Sequence, residues 1–217
     1  MRILVWIMIG VLLCLNGEYV QAKKKKRKKP IVYVIDTFSD GSYQKSPEWW
    51  TFGDLMMRVS NNSEKKKYLG KKSLVVQGKA SKWYMGGFGR YLGIDMWPFK
   101  FIKMVIYSPK PMSAMLEVQL FDDDNKNWKV DTFVNKEQAS HDDIFVHNIL
   151  MDWTGWKTVV IPLSQFDDDN PEEGDNIWNP YRIKGSGGLL QMQVIVSTAK
   201  QPTGDVTFKI DSLKFTQ

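Results

Sequence analysis

Short runs in which every second residue is apolar constrain this chain more than any other feature. Ile102, Met104 and Ile106 alternate with Phe101, Lys103, Val105 and Tyr107, and Leu116, Val118 and Leu120 alternate with Glu117, Gln119 and Phe121. Successive side chains of a strand point to opposite faces, so a period of two means a sheet buried on one side. Further strands are expected over residues 32–38, 50–59, 73–77, 128–134, 157–163, 191–197 and 206–215, with almost no helical periodicity anywhere. Turn chemistry separates them, at Asp40-Gly41, Asn61-Asn62, Ser108-Pro109, 122–127, Thr154-Gly155, 167–174 and 185–188. Strands this short and this often interrupted predict an all-β fold, an antiparallel β-sandwich of jelly-roll type, in one domain over residues 31–217.

The charge is concentrated at one place. Of the formal +6, the run Lys23, Lys24, Lys25, Lys26, Arg27, Lys28 and Lys29 carries seven positive charges, which leaves about −1 for residues 30–217. A nucleic-acid binder spreads its basic residues over the folded surface, so nucleic acid is not an expected partner. Residues 23–30 read instead as a flexible, solvated Lys-rich arm. Before it, residues 1–22 read as an export signal: Arg2, an apolar stretch from Ile3 to Leu15, then the small residues of Val20-Gln21-Ala22 ahead of a cut at Lys23. The apolar stretch is shorter than the ~20 residues a span needs, so no integral membrane segment is expected after cleavage. Cys14 is the only cysteine and falls in the signal, so the mature chain is expected to have neither disulfide nor thiol nucleophile.

Motifs for catalysis are missing. There is no Gly-x-Ser-x-Gly, no His-Glu-x-x-His and no phosphate-binding Gly-Lys-Ser/Thr, and no carboxylate pair is singled out for glycoside hydrolysis. His141 and His147 are the only histidines and read as ordinary surface or loop residues. Gly86, Gly87, Gly89 and Gly93 read as a tight turn between strands. The sequence Asp-Asp-Asp-Asn occurs twice, at 122–125 and 167–170, without EF-hand spacing at either place; these read as solvated acidic turns, with looser calcium binding left open. No residue is assigned as catalytic, and the chain is expected not to be an enzyme.

Tryptophan is the residue that stands out, because rings on a rigid sheet stack on sugar faces or anchor a partner with few rotors to freeze. Trp49, Trp83, Tyr84, Trp128 and Trp178 are the candidates for that role, whereas Trp50 and Trp156 sit among apolar neighbours and read as core.

Three segments carry a resemblance to the galactose-binding-like β-jelly-roll superfamily. Val34-Ile35-Asp36-Thr37-Phe38-Ser39-Asp40 resembles its opening strand, residues 153–166 with Gly155-Trp156-Lys157 and Pro162-Leu163 resemble its "Gly-Trp-Lys, strand, Pro-Leu, Phe" segment, and Phe208 to Phe215 resembles its closing strand. Within it, family 11 carbohydrate-binding modules are similar in the same segments. That resemblance implies glycan binding in an aromatic-lined cleft and a structural calcium tying the chain ends, whose ligands here would be Asp36, Asp40 and Asp211; Ser39 stands where a carboxylate commonly follows the aromatic residue. The spirochaete periplasmic flagellar filament sheath protein is also similar, through Trp49-Trp50-Thr51-Phe52-Gly53 and Gly155 to Pro162. It implies an exported periplasmic structural protein of the flagellum serving motility, with the flagellin core and neighbouring sheath subunits as partners. A solitary exported sandwich with a cationic arm suits assembly on a surface, so the filament reading ranks first and glycan binding second.

Overall fold

The computed structural model describes residues 29–45, 47–63, 69–80, 84–112, 114–131, 141–198 and 204–217. The export signal, residues 23–28 of the basic arm and Trp83 lie outside the described residues; Lys29, the last of the arm, is exposed.

Twelve strands build the sandwich: β1 (Val32–Asp36), β2 (Trp49–Gly53), β3 (Leu55–Asn61), β4 (Lys72–Ala80), β5 (Tyr84–Ile94), β6 (Phe101–Ser108), β7 (Ala114–Asp122), β8 (Asp143–Leu150), β9 (Gly155–Pro162), β10 (Asp167–Asp168), β11 (Leu189–Thr198) and β12 (Gly204–Thr216). They form two six-stranded sheets in which every pairing is antiparallel. The first runs β3-β4-β12-β6-β9, with β1 beside the second half of β12; the second runs β10-β8-β7-β11-β5-β2. This is the antiparallel β-sandwich expected from the alternation. No helix among the described residues is long and apolar enough to cross a membrane.

The alternating residues meet between the sheets. Ile102, Met104 and Ile106 face Leu116, Val118 and Leu120 across a core completed by Phe88, Met192, Val194, Phe208, Leu213 and Phe215, all essentially fully buried. Each such side chain contributes about 1.5–3 kcal/mol by leaving water, a sum that stands without any disulfide.

Three expectations fail, each for a physical reason. Residues 128–131 form no strand, because Lys126 and Trp128 adopt left-handed backbone angles, φ +62° and +60°. The glycines at 86, 87 and 89 are not a turn but lie within β5, the second-longest strand after β12. Their missing side chains make room for rings from β2, as described below. Of the two acidic turns, the first is not solvated at its start, where Asp122 and Asp123 have no accessible surface, whereas Asp167 and Asp169 of the second are exposed as expected.

Candidate functional site

The outer face of the second sheet carries side chains whose order follows from the strand registers. Gln119, Gln193 and Gly89 stand in one row across β7, β11 and β5, and Glu117, Ile195 and Gly87 stand in the next. Gln193 Nε2 donates to Gln119 Oε1 at 2.8 Å, and Gln119 Nε2 donates to Glu117 Oε1 at 2.7 Å. The ladder fixes three polar side chains in place and leaves the second oxygen of Glu117 and the carbonyl of Gln193 without a partner among the described residues.

Beyond the ladder, β2 pairs with β5 so that Trp50 stands opposite Gly89 and Phe52 opposite Gly87. A Cβ on Gly89 would sit 2.6 Å from Trp50 Cζ2, and one on Gly87 would collide with Phe52 Cζ. The two rings therefore lie over bare backbone and are only half-buried. The outer rows end in tyrosines, Tyr84 beside Ser197 and Tyr91 beside Gln191, exposed by 47% and 36%. The result is a strip, hereafter the groove, with polar side chains in register along it and aromatic rings on one flank and at both ends.

Trp128, 46% exposed, joins this face through a turn held by a buried carboxylate. Asp123 accepts the N–H groups of Asn127 and Trp128, both at 3.1 Å, which secures the left-handed backbone. The Arg182 guanidinium lies 4.5 Å from the centre of the indole, and the Tyr91 hydroxyl reaches the Trp128 carbonyl at 3.5 Å. Of the expected aromatics, then, Tyr84 and Trp128 belong to the groove. Trp49 does not: it is 3% exposed, stacks on Phe38 and Phe88, and donates its indole N–H to Asp36 at 2.9 Å. Trp178 packs edge-to-face on Phe145 and lines an apolar hollow of about 330 Å³ with Phe99, Pro162 and Tyr181. Because Phe145 belongs to the core, Trp178 closes the end of the sandwich.

The roles of Trp49 and Trp50 are thus the reverse of those expected, and Trp50, Phe52, Tyr91, Glu117, Gln119 and Gln193 were not singled out. A signal existed. Trp50 and Phe52 are two residues apart, as are Gly87 and Gly89, so each pair must share a face. Trp156, also read as core, is half-buried against Tyr107 at 5.3 Å on the other sheet.

The three carboxylates expected to bind calcium are not brought together. Asp36 pairs with Arg90 at 2.7 Å, and Asp40 with Lys45 at 2.9 Å. Asp211 accepts from Asn62 Nδ2 at 2.8 Å and from the Gly70 amide at 2.9 Å. Each is answered by a cation or by donors of its own.

A second acidic region forms at the start of β8, which stands between the two Asp-Asp-Asp-Asn segments, paired with β7 on one side and β10 on the other. The Asn170 carbonyl accepts the Ile144 amide at 2.6 Å and its Nδ2 donates to the Asp142 carbonyl, which ties residues 167–170 to the start of β8. Asp122 accepts from Ser186 Oγ at 2.6 Å and from the Asn179 amide at 3.0 Å. Burial pushes Asp122 up to about 7, Asp124 and Asp142 up to about 8 and Asp143 up to about 6, each further raised by neighbouring carboxylates. Among the described residues no lysine or arginine pairs with any of them.

No protein-family model matches the sequence, and no curated protein matches it. Solved structures do match. A family 11 carbohydrate-binding module from Clostridium thermocellum, solved in complex with a β-1,3-1,4-mixed-linked tetrasaccharide, is 18% identical with a TM-score of 0.51, over 85% of this chain and 94% of that one. The family 11 module of the cellulosomal cellulase Lic26A-Cel5E of Clostridium thermocellum is 17% identical with a TM-score of 0.51, over 87% of this chain and 95% of that one. At this identity the likeness is one of fold: the chain shares the β-sandwich of carbohydrate-binding modules over nearly its whole described length.

Proposed function

We propose that the outer face of the second sheet binds a polysaccharide chain, without catalysis. The observation that carries this is the hydrogen-bonded ladder of Glu117, Gln119 and Gln193 beside Trp50 and Phe52 lying over the glycines of β5. A pyranose offers a C–H face that stacks on an aromatic ring and a rim of hydroxyls that both donate and accept. Primary amides and a carboxylate held in register answer that rim, and flat rings answer the face. The bound tetrasaccharide of the family 11 structure supports β-glucan as the first probe.

The filament-sheath reading, ranked first on sequence, finds no support in the fold or in the structural likenesses. It would also bury this face against protein, and covering a carboxylate and two amides with an apolar partner costs more than covering them with sugar hydroxyls. Glycan binding therefore takes first place.

Affinity electrophoresis in gels containing mixed-linked β-glucan, then a panel of cell-envelope polysaccharides, tests it. Gln193→Ala and Trp50→Ala are expected to weaken retardation about tenfold or more, the worth of about 1.4 kcal/mol, while Trp178→Ala leaves it intact. Unretarded wild-type protein across the panel, or unchanged mobility in both groove variants, would sink the reading and return the filament to first place.

A further inference from the structure

The acidic region around Asp124, Asp143 and Asp175 shares no residue with the ladder of Glu117, Gln119 and Gln193. Its geometry converges on one point. Asp124 follows β7, Asp143 begins β8 and Asp175 lies after β10, yet one carboxylate oxygen from each comes within 4.8 Å of the others. Asp143 has no accessible surface, and its Oδ1 is buried without a hydrogen-bond partner. An orphaned buried carboxylate oxygen costs desolvation energy that nothing among its described neighbours returns. Where that oxygen points is shown by Gly174, at φ +60°: a Cβ there would collide with Asp143 Oδ1 and would lie 2.8 Å from Asp124 Oδ2. The missing side chain at Gly174 lets Asp143 Oδ1 approach the backbone there, on the side where Asp124 Oδ2 also lies.

We propose that Asp124, Asp143 and Asp175 hold one calcium ion, which fastens the loop after β10 to the β7–β8 end of the second sheet. The donor set is all oxygen, with no nitrogen or sulfur, and so fits a hard cation. Calcium takes its oxygens at about 2.3–2.6 Å, so ligands on opposite sides of one ion stand about 4.6–5.2 Å apart. Three carboxylates within 4.8 Å are compatible with such a shell. Calcium is favoured because magnesium keeps several of its waters and takes only one or two carboxylates, whereas three carboxylates converge here. The site is distinct from the ion that family resemblance places between the chain ends, because it shares no residue with Asp36, Asp40 or Asp211.

The test is metal content and thermal unfolding of the full-length mature protein, dialysed against calcium or treated with chelator. The wild type is expected to retain calcium, and chelation should lower its melting temperature by about 5 °C or more. Asp175→Asn, at an exposed position, should fold normally, release one calcium per chain and lose that chelator effect; Asp143→Asn should do the same if it folds. Asp211→Asn should keep the ion. A wild type that binds no calcium, or that is stabilised equally by magnesium, overturns the proposal. So does an Asp175→Asn protein with undiminished calcium.

Discussion

Arg90 shows how one cation can organise a corner of the molecule. Its guanidinium donates to Asp36 Oδ2 at 2.7 Å and to the Ile35 carbonyl at 2.8 Å, and Asp36 in turn receives the Trp49 indole and the Phe38 amide. Both members of the pair are more than four-fifths buried as side chains. Removing one leaves the other charged in a poor solvent, so Arg90→Ala is expected to cost about 3 kcal/mol in urea unfolding. Lys45→Ala, which breaks the exposed pair with Asp40, should leave the midpoint where it was. Asp211 behaves as a third kind of carboxylate, answered by neutral donors. Asp211→Ala strands the Gly70 amide, while Asn62 Nδ2 keeps its bond to the Gly70 carbonyl at 3.0 Å, and about 1–3 kcal/mol of stability should go, measured the same way. None of these engagements was legible in the sequence, because partners 141 and 149 residues apart leave no local pattern.

At the scale of elements, β5 is the strand that makes the groove possible. Gly89→Ala would place a methyl group 2.6 Å from Trp50 and 3.0 Å from the Met192 carbonyl, so the indole must lift from the sheet. The expected result is a folded protein weakened by about 1–3 kcal/mol, with a red-shifted tryptophan emission and no retardation in β-glucan gels. An unchanged emission spectrum would show that Trp50 does not rest on Gly89. The strands that could be read in advance, β6 and β7, bury one face and solvate the other, and their hydropathy alternates accordingly. β5 escaped because glycine carries almost no hydropathy, and its pattern lies in what is absent from it. β8 escaped because Asp143, His147 and Asn148 interrupt an apolar run whose Ile144 and Val146 form a small second core with Phe121 and Leu190 on the sheet's outer face. The start of the first acidic segment departs from expectation for a related reason: a carboxylate reads as solvated unless the fold buries it, and Asp122 is buried against Ser186 and Asn179, 64 and 57 residues away.

The whole molecule is organised around β12. Its first half pairs with β4, its last residues pair with β1, and β6 runs along the other side. Deleting residues 212–217 removes partners from both β1 and β6 and is expected to abolish the cooperative unfolding transition, followed by circular dichroism; a truncated chain that still melts sharply would mean that β12 is dispensable past its midpoint. Export is tested at the same scale, by intact mass: protein recovered from the native cells should begin at Lys23. The end of β12 has a further consequence. Gln217 donates its amide to the Ile31 carbonyl at 3.2 Å, so the backbone before β1 and the backbone after β12 lie side by side across a narrow gap. That gap lies on the sheet that does not carry the groove. A surface attached at residue 31 or residue 217 would therefore meet the back of the sandwich, and a copy anchored there presents its row of rings and amides to the open solution.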